Sequence, residues 1–230
     1  MRGLLARAMT WPAVLAEAVL RRTGWYARAC ELLYSELAWA YDAAAWLVSS
    51  GRWDSWRRLA LNEALASGPF IVELGPGTGH GLLYLSERGA VVVGIEPSPQ
   101  MLAQARRRAR RVTLVRGRSQ QIPLRDGMAA AVVCTFPGNW ITDPVTWAEI
   151  ERVLRPGGRA VALLTAATGD VPPRWPQPGT RPSFLPPRLA GSWCVRRGPW
   201  GSVLLLVAEK DTARLALEPA SSTSSPLSRA

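Results

Sequence analysis

Histidine and lysine are almost missing from this 230-residue sequence, which has His80 as its one histidine and Lys210 as its one lysine. A single histidine cannot build a zinc site without partners, and neither a Ser-His-Asp triad nor a carboxylate pair can be assigned around it. Cysteine is scarce too: Cys30, Cys134 and Cys194 are an odd number with no CxxC spacing. That excludes a disulfide framework or a metal-ligand cluster and fits a reducing compartment. No run reaches the roughly 18–20 apolar residues that a membrane span needs. Even the apolar start of the chain is interrupted by Arg7 and Glu17, with Pro12 in its middle, so residues 1–20 read as neither span nor signal peptide. The expectation is a cytoplasmic protein, soluble or peripheral to the inner membrane face, without a metal.

What is present is apolar and basic. With 48% hydrophobic and 20% charged residues the chain can bury a core, which excludes wholesale disorder. Its length fits one large α/β domain with a small appendage. The basic residues, 28 against 17 acidic ones, give a net charge of +11 and are all arginine except Lys210. Apart from the run Arg106–Arg111 they are scattered. Such a balance attracts phosphate backbones and acidic lipid headgroups alike and does not choose between them.

Residues 1–65 read as helix throughout, alanine- and leucine-rich with apolar residues at three- and four-residue intervals. Six of the eleven tryptophans fall here, at Trp11, Trp25, Trp39, Trp46, Trp53 and Trp56, with Tyr26, Tyr34 and Tyr41 between them. They suit helix packing in a core; with Arg21, Arg22, Arg57 and Arg58 beside them they also suit a lid or a lipid-facing surface. From residue 68 the period changes. Strands are expected at Pro69–Leu74, Ala90–Ile95, Val112–Val115, Ala129–Cys134 and Arg159–Thr165, and helices at Leu82–Glu87, Pro99–Arg111 and Pro144–Leu154, the last stopped by Arg155-Pro156-Gly157-Gly158. This alternation predicts a doubly wound, mostly parallel sheet with right-handed crossovers. Two more β-like runs, Ser192–Val195 and Ser202–Val207, form a hairpin at the sheet edge and bring the strands to seven. Seven prolines between Pro172 and Pro187 exclude a helix there. The expected division is a helical cap over 1–65, a ligand-binding α/β domain over 66–210 and a disordered tail over 211–230.

The segment Glu73-Leu74-Gly75-Pro76-Gly77-Thr78-Gly79-His80-Gly81 puts a strand directly before several glycines and a helix. Such a junction lets backbone approach a ligand and aims a helix N-terminus at it. The dinucleotide spacing GxGxxG fails, because its third glycine would fall on His80 or Leu82, and no Gly-Lys-Ser/Thr of a phosphate loop follows. What remains, ExGxGxG, resembles the first motif of the class I S-adenosylmethionine-dependent methyltransferases. The likeness continues in Ile95-Glu96-Pro97-Ser98 after the second strand and in Arg152-Val153-Leu154-Arg155-Pro156-Gly157-Gly158 before the fifth, and so covers about residues 68–165.

That resemblance implies a Rossmann-like fold and S-adenosylmethionine as cofactor, with S-adenosylhomocysteine as product. Glu73, Gly75, Pro76, Gly77 and Gly79 would wrap the amino-acid part of the cofactor, and Glu96 would take both ribose hydroxyls, a task that suits a two-oxygen acceptor. Thr135, after strand four, would complete the pocket. Many relatives place an adenine-binding Asp after strand three, where this chain has Arg118, which lacks an acceptor lone pair. Adenine would then be held by Ser119 or Gln120, by backbone groups, or by stacking between Pro97 and the Arg118 region. His80 is expected as a helix-start or cofactor-adjacent residue rather than a base.

For the acceptor, the stretch from Tyr41-Asp42 through Trp46 and Ser49-Ser50-Gly51 to Trp56-Arg57-Arg58 resembles the first helix of quinone-ring methyltransferases and, more loosely, of bacterial phospholipid N-methyltransferases. Together with methyltransferase type 11 domains, these make a small, lipophilic or lipid-like acceptor the expectation, with Tyr41, Trp46, Pro137, Asn139 and Trp140 as its contacts. The Arg-Asn pair that the quinone enzymes carry after strand four is Gly138-Asn139 here. Nucleic acid is disfavoured, since Thr135-Phe136-Pro137-Gly138-Asn139 is not the Asn/Asp-Pro-Pro-Tyr tetrad and the arginines form no stripe. The competing reading is a degenerate member of the fold, without catalytic activity, acting as an interaction module.

Overall fold

Short runs of valine, isoleucine and alanine bounded by glycine become the strands of one sheet, because β-branched side chains pack well on a pleated surface buried on both faces. In the computed structural model, which describes Arg28, residues 32–168 and residues 171–212, these are β1 (Phe70–Leu74), β2 (Val91–Glu96), β3 (Thr113–Arg116), β4 (Ala129–Thr135), β5 (Leu154–Ala167), β6 (Leu189–Gly198) and β7 (Gly201–Lys210). Their spatial order is β3-β2-β1-β4-β5-β7-β6. The first five run parallel, and β7 lies antiparallel to both β5 and β6. The chain steps outward from β1 to β3 and then returns to the other side of β1 with β4. That reversal opens a crevice beyond the carboxyl ends of β1 and β4, where ligands of such sheets bind.

Helices cover both faces. On one face α2 (Trp53–Leu65), α3 (His80–Ser86) and α4 (Pro99–Arg108) bury Leu61, Ala64, Leu82, Leu85 and Ala105 against Ile71, Val92, Val133 and Leu163. On the other, α5 (Pro144–Val153) buries Trp147, Ile150 and Val153 against Val72, Leu74, Val132 and Ala162. Leu185 and Phe184 of the proline-rich segment join that second core, and residues 171–188 form turns without a helix. Prolines thus shape a loop that covers the face with two apolar side chains rather than a helical stripe. Ser98 caps α4 as its residue type suggests, its hydroxyl accepting from the Met101 N–H at 3.2 Å with Pro99 at the first helical position.

Several boundaries differ from the sequence reading: α4 ends at Arg108 rather than Arg111, α3 runs His80–Ser86 rather than Leu82–Glu87, and three differences are larger. The expected turn at Arg155–Gly158 lies inside β5 as a bulge, with Ala129 paired to Leu154 and Ala131 to Arg159, so that extra residues loop out opposite β4. Gly157, at φ +70°, takes the left-handed position this requires. The hairpin strands β6 and β7 are longer than their most apolar stretches, because backbone pairing continues from Leu189 opposite Lys210 to Gly198 opposite Gly201. The N-terminal segment is also not continuous helix. After a 3-10 turn at Ala38–Ala40, α1 (Tyr41–Ser49) stops where Ser50 and Gly51 adopt positive φ, and α2 begins anew at Trp53.

This break divides the tryptophans between the two readings left open: Trp56 is buried in the core, whereas Trp39 and Trp46 are 77% and 64% exposed. Trp11, Trp25, Tyr26, Cys30, Arg21 and Arg22 lie outside the described residues, as does most of the expected tail.

Candidate functional site

The loop between β1 and α3 owes its shape to three glycines with positive φ, Gly75 (+65°), Gly77 (+56°) and Gly79 (+87°). At Gly79 the demand is double, since a Cβ there would stand 2.9 Å from the Ala105 Cα of α4. Above Gly77 there is nothing within 4 Å of where a Cβ would be. Backbone bonds pin the loop: the Gly75 N–H donates to Ile95 O of β2 at 2.9 Å and the Gly79 N–H to Pro76 O at 3.0 Å.

Glu96 ends β2 beside this loop. Its Oε2 accepts from the Gly77 N–H at 3.1 Å and its Oε1 from the Ser98 N–H at 2.9 Å. Burial raises its pKa from the ordinary carboxylate value, and these two N–H donors pull it down. Each oxygen keeps a lone pair, so the carboxylate can take two further donors. On the adjacent strand β1 lies Glu73, only 1% exposed, whose Oε2 has no hydrogen-bond partner. Its other oxygen lies where a Cβ on Gly81 would intrude, so glycine lets α3 start over this buried side chain. Burial pushes the Glu73 pKa up to about 7, with Arg57 pulling it down and Glu96 raising it further. Cys134, buried next to it, has its thiol pushed up by burial and by Glu73.

A third carboxylate reaches the loop from α1. Asp42 accepts from Thr78 Oγ1 at 2.6 Å and from Arg108 Nη2 at 2.7 Å, and its Oδ2 is 3.0 Å from His80 Nε2. Burial alone would raise its pKa, but the hydrogen bonds from His80 and Thr78 and the charges of His80 and Arg108 hold it well below the usual carboxylate range.

Beyond β4 the chain turns sharply. Thr135 is half-buried, and Phe136 has φ +53°, a conformation that side-chain-bearing residues seldom adopt. The Phe136 ring stacks on Trp53 of α2 with centroids 3.9 Å apart, and its N–H donates to Leu163 O at 2.7 Å. Pro137 is half-buried, Asn139 is exposed, and Trp140 turns back so that its ring lies 3.7 Å from a Cβ built on Gly75.

The structure therefore gathers Glu73, Gly75, Pro76, Gly77, Gly79, Glu96 and Trp140 around one loop, with exposed Pro97 following Glu96. Ser119 and Gln120 are tied to the start of α5: the Ser119 hydroxyl is 3.1 Å from Thr146 Oγ1, and Gln120 Nε2 donates to Asp143 Oδ2 at 3.0 Å. Arg118 is exposed. Tyr41 lies 5.6 Å from Tyr34, whose carbonyl accepts from Ser98 Oγ at 2.6 Å, whereas Trp46 points to Gly51 at the far end of α1. Sequence reasoning missed Asp42, Thr78 and Arg108 as a cluster, and Trp53 with Phe136 as a stack. The signal for Asp42 lay in the Tyr41-Asp42 pair, but nothing local could join it to an arginine 66 residues away. Among the described residues no group of three His, Cys, Asp or Glu side chains could hold a metal ion.

Residues 72–162 match the family described as methyltransferase domain. Demethylmenaquinone methyltransferase of Thermus thermophilus is 40% identical over 139 residues, covering 57% of this chain and 63% of that protein. The protein of the same name from Deinococcus radiodurans is 35% identical over 144 residues, covering 59% and 60%. The chain thus spans less than two thirds of the length of these relatives. Among solved structures, geranyl diphosphate C-methyltransferase from Streptomyces coelicolor A3(2), in complex with Mg2+, geranyl-S-thiolodiphosphate and S-adenosyl-L-homocysteine, superposes with a TM-score of 0.53. Its sequence is 17% identical, over 68% of this chain and 76% of that one, so the likeness is one of fold.

Proposed function

We propose, from the premise that residues 72–162 form a domain of the methyltransferase family, that this protein transfers a methyl group from S-adenosylmethionine to a small lipophilic acceptor, quinone-like or phospholipid-like. The observation that carries the reading is the Glu96 carboxylate, fixed by the N–H groups of Gly77 and Ser98 and still able to accept two hydroxyl donors. The open space above Gly77 and the positive-φ glycines fit a ligand that comes against backbone, so the residues suit the cofactor. Glu96 would hold its ribose. Glu73, Gly75, Pro76, Gly77 and Gly79 would cradle the amino-acid end, and Pro97, Ser119, Gln120 and Thr135 would flank the base. When bound, the cofactor supplies a methyl group activated by a sulfonium centre.

In-line transfer of that kind asks the protein chiefly to align two reactants and exclude water. Trp53, Phe136, Pro137 and Trp140 form an uncharged wall for an apolar acceptor, with Tyr41 and Asn139 at its margins. The relatives named as demethylmenaquinone methyltransferases support a quinone-like ring. No described helix is long and apolar enough to cross a membrane. We extend the proposal to a cytoplasmic protein touching the inner membrane face, through exposed Trp39, Trp46, Leu47 and Val48 and a net charge of +11.

Titration calorimetry with S-adenosylmethionine and with S-adenosylhomocysteine tests the reading. Micromolar binding of both is expected, weakened about tenfold or more in Glu96→Gln with an unchanged circular dichroism spectrum. Absence of binding by the unaltered chain would overturn it in favour of a degenerate interaction module, a reading favoured by Arg118 in the adenine region and by Ser119 and Gln120 already being bonded to α5.

A further inference from the structure

Helix α1 buries only Ser49, so apolar packing does little to hold it. Near its C-terminal end Trp46, Leu47 and Val48 are all largely exposed. The main attachment at its N-terminal end is polar. The Asp42 carboxylate gathers Thr78 from the glycine loop, His80 from the first position of α3 and Arg108 from the last position of α4. Arg108 closes the cluster, since its Nη1 donates to Thr78 O at 2.5 Å while its Nη2 holds Asp42. Thr78 is 1% exposed and stands between two positive-φ glycines, where neither helix nor strand ladder fixes the backbone. Both its hydroxyl and its carbonyl are therefore committed to this cluster. A lone surface ion pair contributes little, but one carboxylate serving three donors on three elements fixes their mutual positions. The Ser98 bond to Tyr34 O and the Tyr34–Tyr41 ring contact tether the segment before α1 to the same side of the crevice.

We propose that Asp42 is a positioning residue that couples α1 to the glycine loop, so that the shape of the cofactor cradle and the closure of α1 over it are set together by one carboxylate. The inference rests on the proposed function for its ligand, but the coupling itself is testable without one. In the ligand-free full chain, Asp42→Asn is expected to speed amide hydrogen exchange about tenfold or more over Tyr41–Ser49 and Gly75–Ser86, leaving β4 and β5 unchanged. Exchange over α1 equal to that of the unaltered chain would overturn the coupling, whether or not any cofactor binds.

With S-adenosylhomocysteine, Asp42→Asn and Arg108→Gln should each weaken binding about tenfold, and the double variant should be no weaker than the poorer single one, because both remove the same cluster. In turnover the loss is expected in KM for S-adenosylmethionine with kcat within about twofold, a split that general destabilisation would not produce. Additive losses, or affinities within twofold of the unaltered chain, would refute the assignment. Failure of the unaltered chain to bind would instead refute the proposed function, with the ligand-free exchange still deciding the role of Asp42.

Discussion

The two sides of the crevice are built by opposite means. On the glycine-loop side, backbone N–H groups, three carboxylates and positive-φ glycines set the geometry, and side-chain bulk is nearly absent. On the far side, Trp53 and Phe136 set it by a ring stack, with one strained backbone residue, and the ring of Trp140 reaches across from there to the glycine loop at Gly75. The first kind of surface can bind a polar ligand of fixed shape, because each donor and acceptor has one direction. The second excludes water and tolerates variation in what it covers. A cofactor and an apolar acceptor place these different demands.

The sharpest way to break the polar side is at Gly79. Gly79→Ala adds a Cβ against the Ala105 backbone at φ +87° and is expected to cost about 2–4 kcal/mol in urea unfolding and to abolish S-adenosylhomocysteine binding. Gly77→Ala, facing open space, should cost only about 1 kcal/mol. Equal losses at the two positions would show that φ alone, and not the approach of α4, shapes the loop.

Next in size is the pH dependence set by Glu73. Its folded pKa, about 7, stands above its ordinary value of 4.5, so the folded state binds the extra proton between those pH values. The stability it contributes is complete below about pH 4.5 and is lost as pH rises through about 7, a difference on the order of 3 kcal/mol for this fully buried group. Glu73→Gln should therefore gain on the parent chain across that window in denaturation measured at several pH values. A constant difference between the two would remove the assigned ionisation.

The smallest effect tests the apolar side. Phe136→Ala loses the ring and keeps the left-handed backbone, whereas Phe136→Gly loses the ring and relieves it. Gly is expected to be the more stable of the two by about 1 kcal/mol in thermal unfolding, and equal stabilities would mean that the turn after β4 stores no strain.

Much of the polar side was legible beforehand. Val72–Leu74 followed by spaced glycines announces a strand meeting a helix, and Glu96 falls where the next strand ends, because β1 and β2 are adjacent in both sequence and sheet. The Ser98 cap and Pro99 start were visible for the same local reason. Less of the apolar side could be read. Trp53 reaches Phe136 only because α2 lies across β4 and β5, and no periodicity in either segment announces a partner 83 residues away. The bulge in β5 was hidden as well: Arg155-Pro156-Gly157-Gly158 carries the composition of a turn, and only pairing with β4 keeps it inside a strand.

By itself, then, the sequence determined the strand and helix alternation, the glycine-rich junction of β1 and α3, and the acid that ends β2. These are short-range properties, decided by sterics and hydrogen bonding within a few residues. Which tryptophans enter the core, which carboxylate gathers Thr78, His80 and Arg108, and which ring covers Phe136 were decided only by tertiary structure. Each depends on the packing of elements far apart in the chain, where burial, and not local preference, sets the outcome.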